Sequence, residues 1–176
     1  MLTGPRIERT VRAAVQGAVD EAARRRDPRV GTEHLLLGLL GVDGPVHAVL
    51  REAGLNAASV RDALDDVDRA ALAAVGVDTT HPSYASAASA RTFGRTRRRR
   101  SRPPLSGATR AVLRSAVGIA RDLGDRPVTA EHLLLAAAGA RRGGDPVSGV
   151  FDRLGVNPYE LGARVSESLQ RRRQTP

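Results

Sequence analysis

Cysteine is missing from the 176 residues, which excludes a disulfide framework, a thiolate nucleophile and a cysteine-held zinc. Lysine is missing as well: all 28 basic residues are arginine. That bias speaks of base composition more than of function. It leaves no G-x-x-x-x-G-K-[ST] loop, so the chain cannot work as a P-loop ATPase. Aromatic residues make up 2%, with no tryptophan, so platforms for stacking single-stranded bases are nearly lacking. No apolar run approaches the length of a membrane span and no segment reads as a signal peptide. We expect a cytoplasmic protein without a membrane partner, long enough for one compact domain or two small ones.

What the chain does have is a repeated phrase. Residues 31–40 read GTEHLLLGLL, and residues 128–138 read VTAEHLLLAAA. Each copy places a Glu-His pair before three leucines and follows a valine that ends a polar loop. Thr32 or Gly31 in the first copy and Thr129 in the second are suited to cap a helix. Leu35, Leu36, Leu39 and Leu40 recur at helical spacing, as do Leu133, Leu134, Ala137 and Ala138, so each helix has an apolar face. The acids Glu33 and Glu131 fall at what reads as the solvent-facing helix start, where the macrodipole favours negative charge.

The surroundings of the phrase repeat too. Helices are expected over residues 7–26, 31–40, 46–53 and 56–75, broken at Asp27-Pro28, at the turn 41–45 and at Gly54, a natural left-handed C′ residue. A shift of 98 positions lays Ala14, Val15, Ala18 and Ala22 on Val112, Leu113, Ala116 and Ala120, and Glu33-His34 on Glu131-His132. After a three-residue insertion in the loop 141–144, VHAVLREAGLN falls on VSGVFDRLGVN. Core positions, loop break and Gly-x-Asn ending agree, which is the signature of an internal duplication. Between the copies, residues 76–104 are Ser/Ala-rich and then densely basic; they supply much of the net charge of +9 and read as a mobile linker.

The doubled pattern resembles the N-terminal domain of the Clp AAA+ unfoldases, the Clp repeat, and within it the ClpC branch. Gly31-Thr32-Glu33-His34-Leu35-Leu36-Leu37-Gly38-Leu39 and Ala130-Glu131-His132-Leu133-Leu134-Leu135 carry the likeness; Arg121-Asp122-Leu123-Gly124-Asp125 and Leu154-Gly155-Val156 add to it. The resemblance implies an all-α fold of two tandem, pseudo-twofold-related four-helix Clp repeats joined by a long basic linker. Its divisions would be 1–75, a linker 76–104, 105–170 and a basic tail 171–176. It also implies a non-enzymatic module without cofactors that docks substrates or adaptors of the Clp protease system, or competes with an unfoldase's own N-domain. Met1 and the arginine-rich tail lead us to expect a free-standing homologue without ATPase modules.

ClpC-type domains are also readers of phosphoarginine, and the resemblance transfers that role to Glu33 and Glu131, whose carboxylates would pair with the guanidinium. Residues before the first helix of each repeat would hold the phosphate, with Thr32 close by. There the chain departs from the family pattern: Glu8 stands in the first repeat, where its charge repels phosphate, while the second keeps a hydroxyl, Ser106. On this reading Glu131 with Ser106 form the better site. His34 and His132 read as packing or capping residues, because neither has a ligand at i+4 for a helical zinc pair; His47 and His81 have no partner nearby in sequence. No Gly-x-Ser-x-Gly elbow presents a nucleophile. The rival signal is the basic run Arg95, Arg97, Arg98, Arg99, Arg100 and Arg102, which suits salt-sensitive binding of nucleic acid or another polyanion. A pseudo-twofold junction between repeats also leaves room for a groove that takes small hydrophobic ligands.

Overall fold

A computed structural model describes residues 6–77, 102–140 and 145–174. Eight helices account for nearly all of them: α1 (Arg9–Arg25), α2 (Thr32–Leu40), α3 (Pro45–Glu52), α4 (Ala57–Ala74), α5 (Gly107–Asp122), α6 (Ala130–Gly139), α7 (Pro146–Leu154) and α8 (Pro158–Gln174). The fold is all-α, and α1–α4 and α5–α8 form two similar clusters. Local chemistry explains the boundaries. Pro45 and Pro146 open α3 and α7, where a missing N–H costs nothing and φ is already helical. Asn56 caps α4 by accepting from the amides of Ala58 and Ser59, and Ser106 caps α5 by accepting from Thr109. Gly54 and Gly155 follow α3 and α7 with φ of 78° and 65°, the left-handed conformation that ends a helix without Cβ strain.

The repeated phrase lies at the centre. Leu35, Leu36 and Leu39 of α2 and Leu133 and Leu134 of α6 are fully buried, each contributing about 1.5–3 kcal/mol relative to exposure. α1 packs chiefly on α2, and α5 on α6. Gly38 permits the first crossing, since its backbone meets that of Ala14 and Gly17. The two clusters then exchange contacts: α4 packs on α7, and α3 on α8.

The exchange is sharpest in two isolated parallel bridges, Ile7 with Val128 and Val30 with Leu105. Glu8 N–H donates to Val128 O (2.9 Å) and Val128 N–H to Arg6 O (2.8 Å); Ser106 N–H donates to Val30 O (2.9 Å) and Val30 N–H to Pro104 O (2.9 Å). The segment leading into the first helix of each cluster is thus tied to the segment leading into the second helix of the other cluster. The segment holding Glu8 belongs spatially with Glu131, and the segment holding Ser106 with Glu33.

Two expectations need correction here. The basic tail is not wholly a tail: α8 runs through Gln174, because Arg172 and Arg173 in its last turn are anchored by acids and suit the negative end of the helix dipole. The start of α6 is not solvent-facing either, since Glu131 is 1% exposed; Glu33, at the start of α2, is partly exposed. The Arg95–Arg100 run and His81 lie outside the described residues.

Candidate functional site

Both Glu-His helix starts are built from a histidine in the interior. His34 and His132 are fully buried. Each stands at the third helical position and turns Nδ1 back to the amide that precedes the helix, that of Gly31 (2.9 Å) and of Thr129 (3.1 Å). Each presents Nε2 to an aspartate of the loop before the helix, Asp27 (2.9 Å) and Asp125 (3.0 Å). The ring thereby does what a glutamate does in a capping box, and also ties loop to helix. Neither expected cap hydroxyl bonds a helix amide. Gly31 has none, and the Thr129 hydroxyl sits 2.9 Å from His132 Nδ1. Thr32, a site candidate, is buried and donates through Oγ1 to Asp145 Oδ1 (2.6 Å). His47, expected to have no partner nearby in sequence, does have one: its Nδ1 donates to the carbonyl of Leu40, seven residues before it (3.0 Å).

The two acids part company. Glu33 folds back over Gly31 and places Oε1 2.9 Å from His34 Nδ1, so this nitrogen accepts from Gly31 N–H when the ring is neutral and donates to Glu33 instead when the ring is protonated. Only glycine permits this, since a Cβ at Gly31 would lie 2.1–2.4 Å from the Glu33 carboxyl group. In the second cluster the Gly31 position is Thr129, and its hydroxyl takes the place beside the histidine. Glu131 instead meets Arg172, whose Nη1 lies 3.4 Å from both carboxylate oxygens. The same guanidinium donates from Nη2 to Glu8 Oε1 (2.6 Å).

Electrostatics follow this geometry. Burial opposes a charge on His34, yet the hydrogen bond and charge of Glu33, with the charge of Asp27, outweigh it and raise its pKa. Burial likewise opposes ionisation of Glu33, but His34 and a backbone amide hold its carboxyl below the ordinary range. At His132 burial prevails over Asp125 and the pKa falls. Burial of Glu8 is outweighed by the hydrogen bond and charge of Arg172, which keep Glu8 ionised below its usual range.

Glu33 and Ser106 line one open cavity of about 500 Å³, with Thr32, Arg25, Asp27, Arg29, Asp68 and Asp145. Arg25 is held by Asp65 (2.9 Å) and Asp68 (3.2 Å), whereas Arg29 makes no ion pair among the described residues. The expected pairing of Glu131 with Ser106 is therefore corrected. Alignment within a repeat put them together, but the exchanged bridges carry Ser106 to Glu33 and bring Glu8 to Glu131. The Ser106 hydroxyl accepts from Thr109 N–H (3.0 Å) and lies 2.9 Å from Thr109 Oγ1, which itself donates to Val30 O (2.7 Å). A second cavity, about 570 Å³ and largely apolar, runs between α1 and α5 along Val11, Val15, Val19, Leu113 and Val117, with Arg102 at its edge. Among the described residues no group of acids and histidines is arranged to hold a metal, and no helix is long and apolar enough to cross a membrane.

The sequence profile of the Clp repeat (R) N-terminal domain matches residues 6–145. The chain belongs to that family. The N-terminal domain of the caseinolytic protease associated chaperone ClpD from Arabidopsis thaliana is similar in structure, with a TM-score of 0.70, 22% identity, and 94% of this chain and 95% of that one covered. The Hsp104 N-terminal domain from Candida albicans follows at 0.58, 12% identical over 91% and 89%. A ClpV N-domain in complex with a VipB peptide aligns at 0.51, 21% identical over 97% of each chain. No curated protein matches the sequence. Domains of this family are non-catalytic protein-interaction modules, and this chain is one of them.

Proposed function

We propose that this Clp N-domain docks an arginine-bearing segment of a partner protein in the Glu33 cavity, with phosphoarginine as the fitting side chain. One observation carries the reading: the cavity joins an acid from one cluster, Glu33, to a hydroxyl from the other, Ser106, beside Arg29, which has no ion pair among the described residues. A carboxylate offers two acceptors to a planar guanidinium. The start of α5 and Arg29 supply the donors and positive charge that a phosphate needs. Glu33, Asp27, Asp68 and Asp145 outnumber Arg25 and Arg29 around the wall, so the guanidinium is the anchor and the phosphate belongs on the Ser106 side. To donate to it, Ser106 gives up its contact with Thr109 Oγ1.

In this role the two clusters are tandem Clp repeats about a pseudo-twofold axis, joined by the basic linker. Partners are substrates, adaptors or other components of the Clp protease system, or an unfoldase N-domain with which the chain competes. The peptide held by a ClpV N-domain supports docking of a peptide segment. The other reading, nucleic acid bound by Arg95, Arg97, Arg98, Arg99, Arg100 and Arg102, has no structural observation in its favour, since of these only Arg102 is described.

Calorimetric titration with free phosphoarginine tests the proposal. The wild type should bind one equivalent, Glu33→Gln should abolish binding, and Ser106→Ala should weaken it at least about tenfold, the scale of one lost charge-assisted hydrogen bond. Glu131→Gln should leave it in place. Absence of binding by the wild type overturns the proposal.

A further inference from the structure

One nitrogen at the first helix start has two claimants. His34 Nδ1 lies 2.9 Å from the Gly31 amide, a donor, and 2.9 Å from Glu33 Oε1, an acceptor. A ring nitrogen serves one or the other, according to whether it carries a proton. The far side of the ring has no such choice, because Nε2 faces Asp27 Oδ2 at 2.9 Å and a carboxylate only accepts. Nε2 therefore keeps its proton in both states, and the second proton, when present, sits on Nδ1. Neutral His34 accepts from Gly31 N–H and turns a lone pair on Glu33. Protonated His34 donates to Glu33 and gives up the Gly31 amide.

We infer that this second proton is a switch on the Glu33 cavity: with it, Glu33 stays folded over Gly31 and is withheld from a guanidinium; without it, the carboxylate turns into the cavity and receives one. The inference rests on the reading of that cavity as a guanidinium site. A neutral ring sets two lone pairs against each other at 2.9 Å, and Glu33 has somewhere to go, since it lines an open space of about 500 Å³.

The other charges around the pair come from several elements. Arg25 of α1 lies 3.5 Å from Asp27 and is held by Asp65 and Asp68 of α4. Arg29 and Asp145, from the loops before α2 and α7, stand on the same wall, and the α5 side brings only Ser106, Ala108 and Ala111. His34 is the imidazole among them, the side chain whose ordinary titration falls between about pH 5 and 8. Burial opposes its charge, but the hydrogen bond and charge of Glu33 and the charge of Asp27 outweigh it, which sets the switch above 6.5. The second helix start lacks the device. There Thr129 Oγ1 stands 2.9 Å from His132 Nδ1, and a hydroxyl suits that nitrogen in either state because it both donates and accepts. Glu131 is held by Arg172 instead.

The sign follows from the proton count. Below the His34 midpoint Glu33 is engaged, and affinity for a guanidinium falls by up to about tenfold per pH unit. Above the midpoint the ring is neutral and affinity levels off. By reciprocity, a bound guanidinium drives the proton from the ring.

The test follows the ring proton resonances of the wild type through pH, with and without saturating phosphoarginine. The ligand should lower the His34 midpoint by about one pH unit or more, a tenfold linkage, and leave that of His132 in place. Binding that leaves the His34 midpoint unmoved overturns the inference while the reading of the cavity stands. A second arm needs no ligand. In the free protein the carboxyl carbon resonance of Glu33 should show an inflection at the His34 midpoint, and Glu33→Gln should lower that midpoint by about one unit. If the wild type binds no phosphoarginine, the proposed function falls, and this arm alone decides the switch. A Glu33 carbon that ignores the titration of His34, or a midpoint that Glu33→Gln leaves in place, overturns it.

Discussion

Replacing Gly38 by alanine should destabilise the protein, although the same change in most helices does the opposite. A Cβ built at Gly38 lies 2.1 Å from the Ala14 carbonyl oxygen, 2.9 Å from the Ala18 nitrogen and 3.0 Å from the Ala14 carbonyl carbon. The first of these is more than about 1 Å inside ordinary contact. The obstacle is the backbone of α1, which cannot rotate aside as a side chain does. Separating α1 from α2 to admit the methyl costs about 2–3 kcal/mol by the measure of overpacked cores, and the better helix propensity of alanine returns about 1 kcal/mol. A net loss of about 1–2 kcal/mol lowers the melting temperature by roughly 2–8 °C for a chain of this size. Gly118 is the internal control. It lies in α5 and a Cβ there meets nothing within 4 Å, so Gly118→Ala should stabilise by about 0.5–1 kcal/mol. Thermal and urea melts followed by circular dichroism measure both. If Gly38→Ala melts at or above the wild type, α1 and α2 do not cross backbone to backbone, and the placement of the Glu33 helix start falls with that crossing.

The two buried histidines should titrate in opposite senses about the ordinary value of 6.5, His34 above it and His132 below it, read from their ring proton resonances. His34 then contributes stability that is fully present below pH 6.5 and is lost as pH rises through its raised folded value. His132 contributes stability that is present above 6.5 and lost as pH falls through its lowered one. Gly31→Thr, by evicting Glu33 from the ring, should bring His34 down toward the behaviour of His132; an unmoved midpoint would refute the role given to Gly31. At the other end of α1, Glu21 is buried and held by Arg61 (3.0 and 3.2 Å) and by Arg24. Burial opposes its charge, but these partners lower its pKa from 4.5 to about 2. Glu21→Gln should cost about 1–3 kcal/mol at pH 7, with allowance for the half-exposed arginines. That penalty should shrink in urea melts as pH falls from 4.5 toward 2, and one that ignores pH would refute the ion-pair account.

Much of the fold was legible because helix periodicity and punctuation are local. Leu35, Leu36 and Leu39 announce a buried face, and Pro45, Asn56, Gly54 and Gly155 mark starts and stops within a residue or two of where the helices begin and end. The histidines were legible in kind, as packing and capping residues, but not in detail. Nothing in Glu-His-Leu says that the ring reaches back to the amide three residues earlier and on to an aspartate seven residues upstream. The end of α8 was misread as a tail because a run of arginines looks solvated. Its order comes from Asp125, which accepts both Nε (3.0 Å) and Nη2 (2.7 Å) of Arg173 from 48 residues away.

The candidate site was mispaired for a topological reason. A duplication read along the chain invites each repeat to be treated as a complete unit, and on that view Ser106 belongs to Glu131. The bridges Ile7–Val128 and Val30–Leu105 exchange the leading segments, so each site is assembled from half of either repeat. Divergence in one copy is therefore felt in the other copy's site. Glu8, in the first repeat, changes the charge at Glu131 in the second, and Ser106, in the second, puts a hydroxyl where a carboxylate would otherwise stand on the wall of the Glu33 cavity of the first. The exchange thereby brings together pairs such as Glu8 with Arg172 that lie 164 residues apart in sequence. A site built this way can lose its symmetry without loss of fold, because the leucine core that both repeats share is untouched by either change.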